Sequence, residues 1–226
     1  KKLHAQELRN ERNKKLLKES EFLALQARIQ PHFLFNTLNS ISRDIMFRQG
    51  KDAGTLVESL SSLLRYSLEQ GNGLSTLDSE LEIVRQYATI QKYRFKDRIH
   101  VIIEEKVDGI QNIILPAFTL QPLVENAFVH GLEPKVSGGR VLIEIEKCSR
   151  GICIQVQDDG VGMSEEQVKN LMVHKEHVLQ NNPESIGLHN VRERLRLFTN
   201  DRHCFSINSA PGNGTSIKIV LKEKAV

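Results

Sequence analysis

The sequence predicts an α+β protein in which an N-terminal helical hairpin precedes an α/β domain. Two observations predict this class. Apolar residues recur at helical spacing up to about residue 68, whereas from Ile99 onward strands with alternating apolar residues are interleaved with helices. Gly71-Asn72-Gly73 interrupts the helical pattern. We therefore predict a hairpin domain over 1–72, a linking helix over 73–97 and an α/β domain over 98–226.

Composition excludes several classes of function. The chain has 226 residues and a net charge of only +3, and no lysine/arginine block is interleaved with aromatic residues, so nucleic-acid binding is not supported. Cys148, Cys153 and Cys204 lack CxxC spacing, which argues against a disulfide framework or a zinc site and fits a reducing cytoplasm. No run of 18 apolar residues occurs. The chain begins Lys-Lys without Met, and we expect a piece of a longer protein.

The first 48 residues have the pattern of one long helix. Its start is charge-rich with sparse leucines, typical of a weak coiled coil or of an ordinary solvated helix. Further on, an apolar stripe suited to helix packing contains Leu34, Leu38, Ile41 and Ile45. His32 points away from this stripe, after the helix-bending Pro31. It shares a polar row with Arg28, Asn36, Asn39 and Arg43. This arrangement fits either a reactive histidine or a merely solvated one.

A second helix follows the turn at 48–52 and is also amphipathic. Its apolar residues at helical spacing are Ala53, Leu56, Val57, Leu60, Leu63, Leu64 and Leu68. Two such helices joined by a short turn form an antiparallel hairpin. Because a lone hairpin leaves apolar surface exposed, we expect two copies to pair as a dimeric four-helix bundle.

The remainder predicts a mixed sheet covered on one face by helices. Strands are expected at 101–103, 141–146, 152–157, 204–209 and 216–221, and helices at about 78–95, 116–130 and 188–200. Residues 163–186 are polar without strong periodicity, which indicates a mobile loop with some helix.

The stretch Leu120–Gly131 carries the first chemical motif. One face is apolar, while Asn126 and His130 lie four residues apart on the other. An amide oxygen is a suitable ligand for Mg²⁺, which usually keeps waters and substrate phosphates as its other ligands. The alternative is an exposed helix face that stops at Gly131.

Three glycine-containing segments follow. In Gln157-Asp158-Asp159-Gly160-Val161-Gly162, an Asp at a strand end can accept from an exocyclic amine and glycines let a ligand approach, although DDG is also a common turn. Gly187 lies just before a predicted helix whose N-terminal amides suit phosphate oxygens. Pro211-Gly212-Asn213-Gly214-Thr215 opens the last strand as a hairpin loop or a second point of close approach.

The joint order of these segments resembles the Bergerat-type ATP-binding domain of gyrase, Hsp90, MutL and histidine kinases over about residues 100–222. Three further stretches extend the likeness: Gln-Pro-His-Phe-Leu-Phe-Asn, Leu-Gln-Pro-Leu-Val-Glu-Asn-Ala and Gly-Leu-His-Asn-Val-Arg-Glu-Arg-Leu. With them, residues 20–222 resemble the catalytic kernel of a LytS/YehU-type sensor histidine kinase.

This resemblance implies an ATP-dependent protein-histidine kinase. His32 would be the phosphoacceptor, Asn126 would hold Mg²⁺ against the ATP phosphates, and Asp158 would bind the adenine amino group. The residues expected to complete the nucleotide site are His130, Gly160, Gly162, Gly187, Leu188, Asn190, Gly212, Gly214 and Thr215. Residues 163–186 would form the ATP lid. The implied partners are a second copy, the receiver domain of a response regulator and an upstream sensor or membrane domain, and the kernel would be the cytoplasmic portion of an inner or plasma membrane protein.

Two departures from the usual histidine kinase pattern concern catalysis. Phe33 follows His32 where many kinases have an acidic base, and Val129 stands three residues after Asn126 where many have Lys or Arg. We expect Asn36 to accept from Nδ1–H of His32, which leaves Nε2 to attack, and Arg28 or Arg43 to stabilise developing charge. Glu125 is a candidate general base.

Two other functions remain open. An ATPase without phosphohistidine would be expected to have a catalytic glutamate where this chain has Gln121. A non-catalytic scaffold would have lost nucleotide-binding residues, yet Asn126, Asp158 and Gly187 are all present.

Overall fold

A computed structural model describes residues 31–48, 50–69, 73–172, 184–199 and 203–222, excluding a few side chains, among them that of His32. The predicted N-terminal coiled coil, Arg28 and the central part of the predicted lid lie outside the described residues. The described residues form two compact units, 31–69 and 73–222.

The first unit is a helical hairpin of α1 (Pro31–Arg48) and α2 (Ala53–Glu69). On α2, Leu56, Leu60 and Leu63 are buried as the spacing predicts. The predicted stripe on α1 is divided, because Ile41 is buried while Leu38 and Ile45 are 49% and 59% exposed. The hairpin thus buries one apolar face and leaves another at the surface.

Asp44 is a buried acidic residue at the turn end of this hairpin. It lies on the same side of α1 as Thr37 and Ile41, and its carboxylate accepts the backbone N–H of Asp52 at 2.9 Å. Its carbonyl also accepts the N–H of Gly50 at 3.2 Å. A buried carboxylate is costly unless it receives hydrogen bonds. The bonds to Asp52 and Gly50 therefore stabilise Asp44 and fix the turn between the helices.

The second unit contains helices and strands in alternation. In chain order these are β1 (Leu74–Thr76), α3 (Leu77–Phe95), β2 (Ile99–Lys106), β3 (Ile114–Pro116), α4 (Gln121–Asn126), β4 (Gly139–Cys148), β5 (Gly151–Asp158), α5 (Glu165–Met172), α6 (Glu184–Thr199), β6 (His203–Ser209) and β7 (Thr215–Lys222). Short 3₁₀ turns cover Lys96–Arg98 and Ile110–Asn112, and a π-helical segment, Ala127–Leu132, continues α4.

The central sheet has five strands in the order β2-β4-β5-β7-β6. Strands β2 and β4 are parallel and the other pairs are antiparallel, so the predicted mixed sheet is confirmed. Val141, Ile143 and Ile145 are fully buried, and Ile154 lies opposite Ile145 on the same face. This face forms the core, as alternation along each strand predicts.

Three local features differ from the sequence prediction. Strands β1 and β3 pair in a separate two-stranded sheet that was not predicted. The helix expected from about 116 begins at Gln121 and turns π-helical after Asn126. The helix expected from Leu188 begins at Glu184, which places Gly187 inside its first turns rather than before it.

Candidate nucleotide-binding site

A cavity of about 290 Å³ opens beside the core face of the sheet. Its walls come from α4 and the π segment, from β5 and β7, from the loop after β5, and from α5 and α6. Six of the predicted site residues line it: Asn126, His130, Asp158, Gly162, Leu188 and Thr215. The cavity therefore assembles residues that are as far apart in sequence as 126 and 215.

Asn126 is the last residue of α4, and its side chain faces the cavity. Its Nδ2 atom is buried and has no hydrogen-bond partner among the described residues. Since buried polar groups in proteins are nearly always hydrogen-bonded, this amide has the character of a ligand-binding group. The apolar face predicted for this helix is confirmed, because Leu123, Val124 and Phe128 are buried.

Asp158 ends β5 at the base of the cavity and is 4% exposed. Burial raises the pKa of its carboxyl above the ordinary value, while backbone hydrogen bonds from Gly160 and Thr215 oppose that rise. The Gly160 N–H lies 2.8 Å from Oδ1. The carboxylate is thus oriented by the backbone, and it retains acceptor capacity toward the cavity.

Gly131 and Gly160 make the contact between the π segment and the loop after β5. A Cβ atom at Gly131 would lie 2.7 Å from Oδ1 of Asp158, and one at Gly160 would overlap the Gly131 backbone. The Gly131 carbonyl accepts the N–H of Val161 at 2.9 Å. Both glycines are therefore required for close packing, and the interpretation of Gly131 as a helix stop is wrong, since the π segment continues to Leu132.

Comparison with known proteins places this geometry in a family. The family described as "Histidine kinase" matches residues 20–99, and the "Histidine kinase-, DNA gyrase B-, and HSP90-like ATPase" family matches residues 111–225. The chain belongs to the sensor histidine kinase family. The predicted family, the Bergerat-type fold class and the assignment as an ATP-dependent histidine kinase are confirmed.

Two relatives illustrate the match. The chain is 36% identical over 206 residues to the sensor histidine kinase YesM of Bacillus subtilis, covering 91% of this chain and 34% of that protein. It is 38% identical over 189 residues to the sensor protein LytS of Oceanobacillus iheyensis, covering 83% and 32%. The chain therefore spans about a third of the length of these relatives.

Among solved structures, the histidine kinase domain of a blue-light activated histidine kinase from Erythrobacter litoralis is similar at 15% sequence identity and a TM-score of 0.48. The similarity covers 93% of this chain and 94% of that one.

Thr215 and the glycine loops of this histidine kinase are held together by Ser209. The Ser209 hydroxyl donates to the carbonyl of Gly214 at 2.8 Å, accepts the N–H of Met163 at 2.8 Å and lies 3.0 Å from the Thr215 hydroxyl. Ser209 joins β6, β7 and the loop after β5, and sequence reasoning missed it because nothing in its local pattern distinguishes it.

Five of the predicted nucleotide-binding residues do not line the cavity. Gly160 packs against the backbone of Gly131, and Gly214 packs against the backbone of Asp158. Gly212 donates its N–H to the Val161 carbonyl at 2.7 Å. Gly187 has open space where a Cβ would lie. Asn190 is exposed, and its carbonyl accepts from Arg194.

Helix α5 lies within the predicted lid, 163–186, and contributes a cavity wall through side chains that the sequence analysis did not single out. Gln167, Asn170 and Leu171 line the cavity from this helix. Ser164 and Gln167 form a reciprocal capping pair at its start, which is a pattern that sequence inspection can recognise.

Glu125 lies outside the cavity lining although it adjoins Asn126. Its carboxylate accepts the amide N–H of Gln121 at 2.9 Å. Burial raises the pKa of Glu125 to about 7, and the Gln121 hydrogen bond opposes this shift. The group is therefore poised to exchange a proton near neutral pH, and its role as general base stays a prediction.

Proposed function

We propose that this kinase kernel transfers the γ-phosphoryl group of Mg-ATP, held in the cavity of the second unit, to His32. The observation that carries the proposal is the buried, unpartnered amide nitrogen (Nδ2) of Asn126 in the same cavity as the oriented carboxylate of Asp158. One group suits the phosphate end of a nucleotide and the other suits its base.

In this proposal the adenine ring lies against the apolar walls of the cavity, which include Leu123, Ala127 and Ile217. Asp158 accepts a hydrogen bond from the exocyclic amine, and Thr215 lies beside it. His130, exposed at the cavity wall, contacts the nucleotide from the α4 side. Asp158 would thereby select adenine over guanine, which has no amine at the same position.

The proposed metal is Mg²⁺ bound together with the phosphates. Among the described residues, no group of three or more His, Cys, Asp or Glu side chains is arranged to hold a metal ion. Mg²⁺ keeps several waters and typically takes one or two protein oxygens plus substrate phosphates. The amide oxygen of Asn126 fits that requirement, and the ion would neutralise charge on the phosphates.

At His32 the neutral imidazole attacks phosphorus, a P–N bond forms and the bond to the ADP oxygen breaks. The ring proton leaves, so the products are phosphohistidine, ADP and a proton. His32 and Asn36 occupy positions i and i+4 of α1, which places them on one face of the helix. Asn36 would hold the imidazole through Nδ1–H, and Arg28 would stabilise charge on the transferred group. Arg43 lies about 16 Å from His32 along the axis of α1, too far to contact that group.

We also propose that the kernel acts as a homodimer and passes its phosphoryl group to an aspartate of a response regulator. The exposed apolar residues of the hairpin support the dimer: Leu38, Ile45, Val57, Leu64 and Leu68. Pairing two hairpins would remove this surface from water. Because the matched relatives are about three times as long, we propose that the kernel is the cytoplasmic part of a larger membrane sensor. Among the described residues, no helix is long and apolar enough to span a membrane.

The test is incubation of the chain with γ-labelled ATP and Mg²⁺. We expect acid-labile label on the protein that is lost in His32→Gln and kept in the control His100→Gln, which alters an exposed histidine of β2. ADP release without protein label would indicate an ATPase, and neither product would indicate a scaffold. Asn36→Ala should slow labelling, and a normal rate would contradict the role given to Asn36.

A further inference from the structure

The loop between β3 and α4 carries unusual backbone geometry. Phe118 has φ of +59°, in the left-handed region that non-glycine residues rarely adopt. The residue is also buried. Such backbone persists only where the surroundings enforce it, and this loop lies directly before the helix of Asn126.

A buried carboxylate enforces this conformation from one side. Glu80 of α3 is 1% exposed, and its two oxygens accept the N–H groups of Phe118 at 2.6 Å and of Leu120 at 2.7 Å. Burying a carboxylate is costly unless it receives strong hydrogen bonds. Here both oxygens are directed to a single loop.

A guanidinium holds the same loop through its carbonyl groups. Arg194 of α6 donates to the carbonyls of Ala117 at 2.9 Å and of Phe118 at 2.7 Å. The planar fork of arginine suits such paired acceptors, which a lysine cannot reproduce. The N–H and the carbonyl of Phe118 are therefore each held by a charged residue from a different helix.

The loop connects β3 to α4, the helix that carries Asn126 in the cavity wall. Leu120 precedes α4, and its carbonyl accepts the N–H groups of Leu123 and Val124. Asn126 lies six residues further on, about 9 Å along the helix axis. Arg194 in turn lies on the same helix as Leu188, which lines the cavity. Glu80, Phe118 and Arg194 do not line it.

We infer that Glu80 and Arg194 are positioning residues for nucleotide binding. Together they fix the loop 117–120, which sets the position of Asn126 on α4 relative to Leu188 on α6. This inference rests on the proposed function, because it assigns Asn126 to the phosphate end of the nucleotide. The base end is lined in part by Leu123 and Ala127 of the α4 side, but its polar groups, Asp158 and Thr215, are held by β5 and β7, so we expect it to depend less on the loop.

The two roles predict different effects on nucleotide affinity. A positioning role predicts a selective loss of Mg-ATP affinity, whereas a merely structural role predicts equal losses for Mg-ATP and AMP. The affinity of the full chain is measured for Mg-ATP and, in EDTA, for AMP. We expect Glu80→Gln to weaken Mg-ATP binding about tenfold or more, since ångström-scale misplacement of a binding group has large effects. AMP binding should change less than about threefold. Uniform destabilisation of the fold would weaken both alike.

Arg194→Lys provides a second variant that keeps the charge beside the loop, and it decides the matter if Glu80→Gln does not fold. It should show the same selective loss of Mg-ATP affinity, and the double variant should lose less than the two single effects combined, because both act on one loop. The controls are Glu82→Gln and Arg196→Met, exposed neighbours on the same two helices.

Equal losses for Mg-ATP and AMP, or unchanged Mg-ATP affinity in a folded variant, would overturn the inference and leave the proposed function standing. A wild-type chain that binds neither nucleotide would overturn both.

Discussion

The raised pKa of Glu125, on the helix that carries Asn126, can be tested through its effect on the pH dependence of stability. Its carboxyl group is largely enclosed by protein, close to the buried ring of Tyr87, and it accepts a hydrogen bond from the side-chain amide of Gln121. Arg94 and Glu133, which also act on Tyr87, form an ion pair nearby at 2.6 Å. Glu125→Gln removes the titration while keeping the shape of the side chain and an oxygen that accepts from Gln121.

The direction of the pKa shift of Glu125 determines how its contribution to stability changes with pH. The pKa of Glu125 rises from 4.5 to about 7 on folding, so the folded chain binds this proton more tightly than the unfolded chain. The associated stability is complete below about pH 4.5 and is lost as the pH rises through about 7. At about 1.4 kcal/mol per pKa unit, the loss amounts to about 3 kcal/mol.

We therefore expect Glu125→Gln to gain stability relative to wild type as the pH increases, by up to about 3 kcal/mol between about pH 5 and pH 8. Guanidinium denaturation followed by circular dichroism measures the difference at each pH. In thermal melts the gain corresponds to roughly 2–4 °C per kcal/mol. Glu82→Gln, at an exposed glutamate of α3, is the control and should show no such trend. A pH-independent difference for Glu125→Gln would refute the reasoning, because Asp158 and all other groups cancel in the comparison.

Three further outcomes are expected. Gly131→Ala places a methyl group against Oδ1 of Asp158, so it should lower the free energy of unfolding by about 1–3 kcal/mol, measured by denaturation, and reduce ATP affinity, measured by calorimetry. Asp158→Asn removes a buried carboxyl whose pKa is raised, so the fold should persist at neutral pH. ATP affinity should fall about tenfold or more, and an unchanged affinity would mean that Asp158 does not bind the base. Ile45→Glu should convert a dimer to a monomer in analytical ultracentrifugation, because it places a charge on the exposed apolar face of α1. The control Leu197→Glu, on α6 of the second unit, should leave the dimer intact. A dimer that persists in Ile45→Glu would place the interface elsewhere.

The secondary structure was predictable wherever its signal is local. The alternation of Val141, Ile143 and Ile145 is a property of neighbouring residues, and so is the helical recurrence of Leu56, Leu60 and Leu63. Both patterns correspond to the observed buried faces. Strands β1 and β3 have three residues each, which is too short for periodicity, and they pair across about forty positions of the sequence.

Buried charges were not predictable for a related reason. Asp44 and Glu80 lie in amphipathic helices, where an acidic residue ordinarily marks the solvated face. Their burial depends on backbone N–H groups elsewhere: those of Asp52 for Asp44, and those of Phe118 and Leu120 for Glu80. The second set is 38 and 40 residues away, so nothing within the helix pattern indicates it.

Three positions where local rules fail lie in the cavity wall or in the contacts that hold the loop before α4. Phe118 adopts a glycine-like conformation, Glu80 is buried as an acid, and Gly131 continues a helix that its residue type should end. Each exception has a long-range cause: the first two hold the loop before α4, and the third admits Asp158 against the π segment. Natural sequences depart from local preference mainly where function requires it. These exceptions are an argument, independent of motif order, that the cavity beside Asn126 is a functional site.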